Sequence, residues 1–403
     1  MPDFDQAINH SNPVNSAIAS TIADKADQVL ALSKRIHSNP EISFEETASA
    51  AAVCQLFEDE QFDVARGYGS LPTAFTAVAG TGKFTVGICV EYDALPEIGH
   101  GCGHNVIAGA SIAAALGLKP LVDQLDITLK IIGTPAEEHG GGKSVLISEG
   151  AFDDVDIAMM MHPTNETPTY NITGSTCQAV GRFRATYTGR GAHAAASPSA
   201  GINAADAATI TQIAIGLLRQ QLPDTNRVAL FVREAGRVTN IIPDKAVVEF
   251  ECRATTLAAY EELLGKVRRC FEAGALATGT QMEIEATEPL YEPLIQDELL
   301  ATLWNESISF LGHSIEGLLP LLPASTDMGN VSQKVPSIHP FVGIPGVESA
   351  LHTKDFAAAA DTPAAYDLMF DSAIAMAWIA ATIASSPNHI ETVRSSAAAL
   401  TEK

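Results

Sequence analysis

"FTVGICVEYDALPEIGHGCGHNVIAGASIAAALGL" occupies residues 84–118. Phe84–Val90 is a short apolar run rich in β-branched residues and reads as a buried strand. From Asn105 onward, Val106, Ile107 and an alanine-rich run to Leu118 read as a helix. The turn between them is glycine-rich and carries Cys102 and His104. A strand feeding a helix through such a turn is the building unit of α/β proteins, which collect binding groups at the ends of their strands. Two residues alone decide nothing; the question is whether other segments supply partners.

Working outward, residues 14–38 predict a helix that stops before Asn39-Pro40, because the residue before a proline is pushed out of the helical region. A second helix is expected from about Glu45 to Glu60. Strands are expected near 74–79, 84–91, Ile127–Ile132 and Asp156–Met161, with the 105–118 helix among them. Strands alternating with helices imply an α/β sandwich around a largely parallel sheet. The pattern then changes. Strands at 177–188, 227–236, 246–254 and 281–287, with helices at 201–218 and 257–278, follow the order β-α-β-β-α-β of a ferredoxin-like module. Helices near 297–311 and 363–385 resume the first style. The expected organisation is a larger domain of residues 1–176 and 292–403, interrupted by an inserted domain of residues 177–291.

The chain has 403 residues, with 48 Asp and Glu against 24 Lys and Arg, for a net charge of −24. Nucleic-acid binding needs Lys and Arg patches, so that partner is excluded. The acidity reads as a solubility device. Six cysteines scattered over this length suit a reducing compartment rather than a disulfide framework. MPDFDQAINH has neither a basic nor an apolar leader-like run. The apolar stretch Leu368–Ala384 is interrupted by Asp371 and short for a membrane span, so it reads as a core helix. The expectation is a cytoplasmic protein with no membrane partner.

Four further segments carry chemistry. "GTPAEEHGGG" (133–142) places Glu137 and Glu138 just past a strand, and "MMMHP" (159–163) does the same for His162. "SALHTKDF" (349–356) offers His352, and "GRGAHAAASP" (189–198) offers His193 within the inserted domain. An isolated histidine is ordinarily structural, and His10, His313 and His389 read that way. Cys102, His104, Glu138 and His162, however, all follow predicted strands, whose ends share one edge of a parallel sheet. Thiolate, imidazole and carboxylate are the ligands of zinc and similar divalent ions. His352 brings the set to five, more than the four of a closed structural site. That favours two metals with one bridging ligand, either the thiolate or a water. Glu137, beside ligand Glu138, cannot easily reach the same ion and suits a general base acting on water.

Competing chemistries are weaker. "GGGKS" (140–144) would need glycine at 137 to be a phosphate loop, and 137 is glutamate. "GTG" (80–82) is no dinucleotide fingerprint. A nucleophilic Cys102–histidine dyad would make a cysteine hydrolase, leaving Glu138, His162 and His352 without a role. A non-enzymatic metal-binding or ligand-binding protein on the same scaffold would not need Glu137.

These motifs, with "RIHSNPEISFEE" (35–46), "DALPEIGHGCGHN" (93–105), "TPAEEHGGGK" (134–143), "GAHAAASPSAGINAADA" (191–207), "VTNIIPDKAVVEFECRA" (238–254) and "STDMGNVSQKVPSIHP" (325–340), follow one another in a specific order. In that order the chain resembles the aminoacylase and glutamate-carboxypeptidase family of co-catalytic metallopeptidases, peptidase family M20. The likeness is to its amidohydrolase branch with a cysteine ligand. Asn105 stands where many of that branch carry aspartate. The resulting "CGHN" is shared with p-aminobenzoyl-glutamate hydrolases and β-alanyl-type dipeptidases, and points away from auxin-conjugate or hippurate cleavage.

The resemblance implies a phosphorylase/hydrolase-like α/β catalytic domain with an inserted ferredoxin-like (βαββαβ) dimerisation domain. It implies two divalent metal ions per subunit, zinc or manganese, on Cys102, His104, Glu138, His162 and His352, with Glu137 as general base. His193 would reach the active site of the neighbouring subunit of a homodimer. Asn240 and Arg253 would contact a substrate carboxylate, for which an arginine fork is well matched. Ser325 and Thr326 would line the substrate site. The expected reaction is hydrolysis of an N-acyl amino acid, an aminobenzoyl-glutamate-like compound or a dipeptide, releasing a free amino acid.

Overall fold

The Phe84–Val90 strand lies at the centre of a six-stranded sheet, and its neighbours explain why it is apolar along its whole length. In the computed structural model, which describes residues 4–165, 169–318, 320–322 and 324–401, the strands that begin the chain are β1 (Asp63–Tyr68), β2 (Leu71–Ala79), β3 (Phe84–Val90), β4 (Ile127–Gly133), β5 (Ile157–Met159) and β6 (His162–Thr164). The sheet runs β1-β2-β4-β3-β5, then the Ser337–Ile338 strand. β4, β3, β5 and Ser337–Ile338 are mutually parallel, while β2 is antiparallel to β4 and β1 to β2. The sheet is therefore mixed at one side. β1 escapes detection from sequence because "DVARGY" is polar and largely exposed, as suits an edge strand.

Three helices that share a core explain the remaining apolar runs. Pro13–Ser38 starts at an Asn12 cap whose side chain accepts from the Val14 N–H, with proline at the first helical position. His104–Leu118 is buried at every residue, so it carries no polar face. Pro363–Ala384 is long and apolar enough to cross a membrane by composition, but it packs against both of the other helices with most of its residues buried. It is a core helix.

The order β4-β3-β5 matters most. The chain leaves β3 through His104–Leu118 to reach β4 on one side, and leaves β4 through Gly142–Ser148 to reach β5 on the other. β3 is thus a switch point, where loops diverge from the carboxyl ends of the strands and open a crevice.

The chain divides into two compact units. One comprises the chain up to Thr176, Leu294–Leu322 and the chain from Thr326. The other is Cys177–Pro293 with the short stretch ending at Ser325. The second unit is a four-stranded antiparallel sheet in the order Arg227–Glu234, Lys245–Ala254, Ala179–Thr188, Gln281–Ala286. Helices Ala204–Leu218 and Leu257–Thr278 pack on it, giving the ferredoxin-like βαββαβ order. Phe183, Ala185 and Tyr187 alternate into the core with Phe250 and Phe271, while Arg182 and Arg184 pair with Glu251 and Glu249 on the other face. The two helices meet at Gly274, where a Cβ would lie 2.6 Å from both the Ala207 carbonyl oxygen and Thr211 Oγ1.

Gly274→Ala should therefore lower stability by roughly 1–3 kcal/mol through overpacking. Gly216→Ala, in the exposed part of the same helix pair with open space around it, should gain up to about 1 kcal/mol from helix propensity. Thermal unfolding of the two variants checks the opposite signs.

Candidate metal centre

The carboxyl ends of β3, β4 and β5 each deliver side chains to one crevice of the first unit. β3 ends at Val90 and is followed by Glu91 and Asp93, and the turn beyond brings Cys102 and His104 to the start of their helix. Gly103 adopts φ +71°, a left-handed conformation that lets the chain turn sharply between the two. β4 delivers Glu137 and Glu138, and β6, directly after β5, opens with His162. His352, on a left-handed residue of φ +63°, donates its backbone N–H to Gly101 O at 2.9 Å.

The donor atoms cluster in three groups, each with all its atoms within 4.8 Å of one another. One is Cys102, His104 and His162; a second is Cys102, Glu138 and His352; a third is His104, Glu137 and Glu138. Cys102 belongs to both of the first two. His352 Nε2 lies 3.6 Å from Glu138 Oε2, and its side chain is the exposed member of the set.

The imidazoles are oriented by hydrogen bonds. His104 Nδ1–H donates to Asp93 O at 2.8 Å and to Asp93 Oδ1 at 3.0 Å, which directs the lone pair of Nε2 into the crevice. His162 Nδ1–H donates to Pro163 O at 2.7 Å with the same result. Such outer partners fix the tautomer of a metal-ligating histidine. Asp93 also accepts from Ser43 Oγ at 2.9 Å and from the Glu138 N–H at 3.1 Å, through Oδ2. Burial would raise the Asp93 carboxyl, but His104 and these hydrogen bonds outweigh it and hold it at about 2. Burial lowers the His162 pKa to about 3, with His104 adding to the effect, so this ring is neutral.

The charge balance bears directly on a metal. Glu91, Asp93, Glu137 and Asp327 are buried, Glu138 is half-buried, and Lys143 is a buried cation among them. Burial opposes a charge on His104, but Asp93, then Glu91 and Glu138, prevail and raise its pKa well above the usual imidazole range. Lys143 Nζ donates to Glu91 Oε1 and, at 2.8 Å, to Asp327 Oδ1. Burial opposes its charge, but Asp327 and Glu91 prevail and raise its pKa. Burial, then Glu91 and Glu138, push the Glu137 carboxyl well above its ordinary range. Burial and Glu138 do the same to the Cys102 thiol. Buried charge of one sign is costly unless compensated. Two buried atoms facing this excess, His104 Nε2 and Glu91 Oε2, have no hydrogen-bond partner and lie 3.7 Å apart. A sulfur, imidazole and carboxylate set with orphaned donors and surplus negative charge fits divalent cations.

The other predicted residues fall elsewhere. His193, Asn240, Arg253 and Ser325 belong to the second unit. His193 Nδ1 accepts the N–H groups of Ala195 and Ala196 at 3.2 and 3.1 Å, so the neutral ring carries its proton on Nε2. Its segment pairs with the Asn240–Ile241 segment. The Arg253 guanidinium is engaged with Glu251 Oε1 at 2.8 Å and Ser325 Oγ at 3.1 Å. Thr326 is buried in the first unit beside Asp327, accepting the Met328 N–H at 3.1 Å. Sequence reasoning missed Glu91, Asp93, Lys143 and Asp327. A lysine inside a glycine-rich loop that fails as a phosphate loop was the available signal for Lys143.

An α/β sheet whose switch-point crevice gathers such a donor set, interrupted by a ferredoxin-like unit, defines a hydrolase of the metallopeptidase class. The chain belongs to peptidase family M20/M25/M40, whose model matches residues 88–372. It is 36% identical over 396 residues, 93% of its own length and 90% of the relative's, to Xaa-Arg dipeptidase of Mus musculus. It is 33% identical over 273 residues, 62% of its length and 56% of the relative's, to one subunit of the p-aminobenzoyl-glutamate hydrolase of Escherichia coli. Its fold is similar to that of a dinuclear metal binding peptidase from the M20 family of Bacillus subtilis, with a TM-score of 0.63 and 21% identity over 88% of this chain and 98% of that one.

Removing the buried cation should expose the charge excess. Lys143→Met should cost roughly 3–5 kcal/mol, the scale of breaking a buried ion pair and leaving its partners uncompensated. Adding Glu91→Gln should recover part of that loss. Denaturant unfolding of the metal-free proteins measures both.

Proposed function

We propose that the protein is a dinuclear metal-dependent amidohydrolase that releases a free amino acid from an N-acyl amino acid, an aminobenzoyl-glutamate-like compound or a dipeptide. The observation that carries this is the sharing of Cys102 between two donor groups, His104 with His162 and Glu138 with His352. Two neighbouring cation positions, one at each group, would account for all five residues. Zinc and manganese are the candidate ions. When bound, they supply Lewis acidity, polarising the scissile carbonyl and lowering the pKa of an attacking water. The similarity to an Xaa-Arg dipeptidase and to a p-aminobenzoyl-glutamate hydrolase supports the substrate class.

Within that frame the side chains have distinct tasks. The Glu137 carboxylate takes the proton of the attacking water and returns it to the leaving amine. His193 presents an Nε2–H donor, the polarity an oxyanion needs. Arg253 and Asn240, with Ser325 and Thr326, are assigned to the substrate's α-carboxylate side. A reducing cytoplasm keeps the Cys102 thiolate available.

We assign His193 to the active site of the other subunit in a homodimer. Exposed Ile213 and Leu217 lie one turn apart on Ala204–Leu218, and exposed Phe231 lies on the edge strand Arg227–Glu234. An apolar helix stripe beside an unpaired sheet edge suits an isologous contact.

Two mutations separate binding from chemistry. Cys102→Ala should lose bound metal and activity together, because the thiolate serves both cation positions. Glu137→Gln should keep its metal and lose about 10²–10⁴-fold in kcat, the usual size of a general-base contribution. Metal analysis by mass spectrometry, with assays against N-acyl amino acids, dipeptides and p-aminobenzoyl-glutamate, decides both. Full metal occupancy in Cys102→Ala would remove the proposed site.

The subunit assignment has its own test. Glu137→Gln and His193→Ala homodimers are dissociated, mixed and reassociated. Activity should return, because one site of each mixed dimer then contains both wild-type residues. Confirmed heterodimers without recovered activity would place His193 in its own subunit's site.

A further inference from the structure

Two residues with left-handed backbone meet at one buried carboxylate. Phe44 has φ +67° and Ala136 has φ +62°, conformations that non-glycine residues adopt at a cost. Both donate their backbone N–H to Glu46 Oε1 at 2.9 Å. Glu46 Oε2 accepts the Thr73 hydroxyl at 2.8 Å, and the side chain is fully buried. Ala136 immediately precedes Glu137 and Glu138.

The segment that carries Glu46 is tied to the crevice at other points. Ser43 Oγ donates to Asp93 Oδ2, and Ile42 forms a bridge with Ala94. The ring of Phe44 lies against Gly140, where a Cβ would come within 2.2 Å of it. Downstream, Gly142 closes on Pro135, whose carbonyl oxygen leaves no room for a side chain. The loop that carries Glu137 and Glu138 is thus held tightly at both ends. Nothing in its own sequence favours the left-handed turn at Ala136; the acceptor for its N–H comes from a segment 90 residues earlier.

We propose that Glu46 is a positioning residue for the Glu137–Glu138 pair, holding Ala136 in its left-handed conformation so that the two carboxylates face the crevice. The inference rests on the proposed roles of Glu137 as base and Glu138 as ligand. Glu46 does not touch the donor cluster. It acts through the backbone of Ala136. Burial, and then the charge of Asp93, lift its carboxyl to about 7. The carbonyl oxygen of the neutral acid still accepts both N–H groups, so a side chain with one such oxygen is sufficient.

That geometry predicts a pattern of loss and rescue. Glu46→Ala should weaken zinc binding and lower kcat, each by roughly 10–100-fold, the range for residues that orient metal ligands. KM should change much less. Glu46→Gln, which keeps one carbonyl oxygen, should stay close to wild type. Ala136→Gly introduced into Glu46→Ala should recover most of both losses, because glycine takes a positive φ without a brace.

Zinc affinity is measured by chelator competition, with kcat and thermal unfolding alongside, and Glu138→Ala as the reference. Rescue by Ala136→Gly supports positioning, since a general packing role would not respond to it. If Glu46→Ala folds and only its unfolding temperature falls, the inference is overturned; absence of rescue overturns it equally. Should Glu46→Ala fail to fold, Glu46→Asp, one methylene too short to reach both amides, is read in its place. If Glu138→Ala binds zinc as wild type does, the ligand assignment itself has failed. If Glu138→Ala loses zinc and Glu46→Ala does not, only the positioning inference has failed.

Discussion

The Asp93 carboxylate ties together three stretches of chain that lie far apart in sequence. It accepts from the His104 ring, from the Glu138 backbone and from the Ser43 hydroxyl. One buried anion therefore orients a proposed ligand from the β3 turn, places the loop after β4 and docks the segment before the Thr47–Asp59 helix. Without it, the His104 ring keeps only its bond to the Asp93 main-chain oxygen, and the Glu138 N–H loses its carboxylate acceptor. A metal site needs this kind of outer support, because ligands must be held in place before the ion arrives.

The same crevice gathers several buried carboxylates around few basic groups. Glu91 and Asp327 are shared by Lys143, and Asp93 is paired with the His104 ring. Burial raises the carboxyl of Glu137 and the thiol of Cys102, so in the absence of cations these groups hold protons. Divalent ions bound there would displace those protons and supply opposing charge. The fold tolerates this strain because β3, β4 and β5 are apolar and rigid beneath it, with nearly every residue buried.

The second unit obeys different rules. Its core is a plain two-layer packing of aromatic and aliphatic side chains, and its other sheet face is a ladder of arginine and glutamate pairs. His193 and Asn240 lie on paired segments of this unit. The backbone N–H groups that occupy His193 Nδ1 leave a donor nitrogen for whatever the ring meets.

How much of this was legible in the residues follows from how local each feature is. The strands β3 and β4, the 104–118 helix and the βαββαβ order were readable because hydrophobic period and chain punctuation are local properties. Cys102, His104, Glu138 and His162 were readable as a set because each follows a strand, and residue chemistry does not depend on packing. The polar edge strand β1 was not, since it lacks the apolar alternation that marks a half-buried strand. The sequence by itself determined the element types and the inventory of donor groups. Tertiary structure alone decided that β3 lies between β4 and β5, that Cys102 is common to two donor groups, and that Asp93, Lys143 and Glu46 support them. Those partners are separated by tens to nearly two hundred residues. No local propensity encodes such pairings; they exist only once the sheet order and the packed helices have brought the strand ends together.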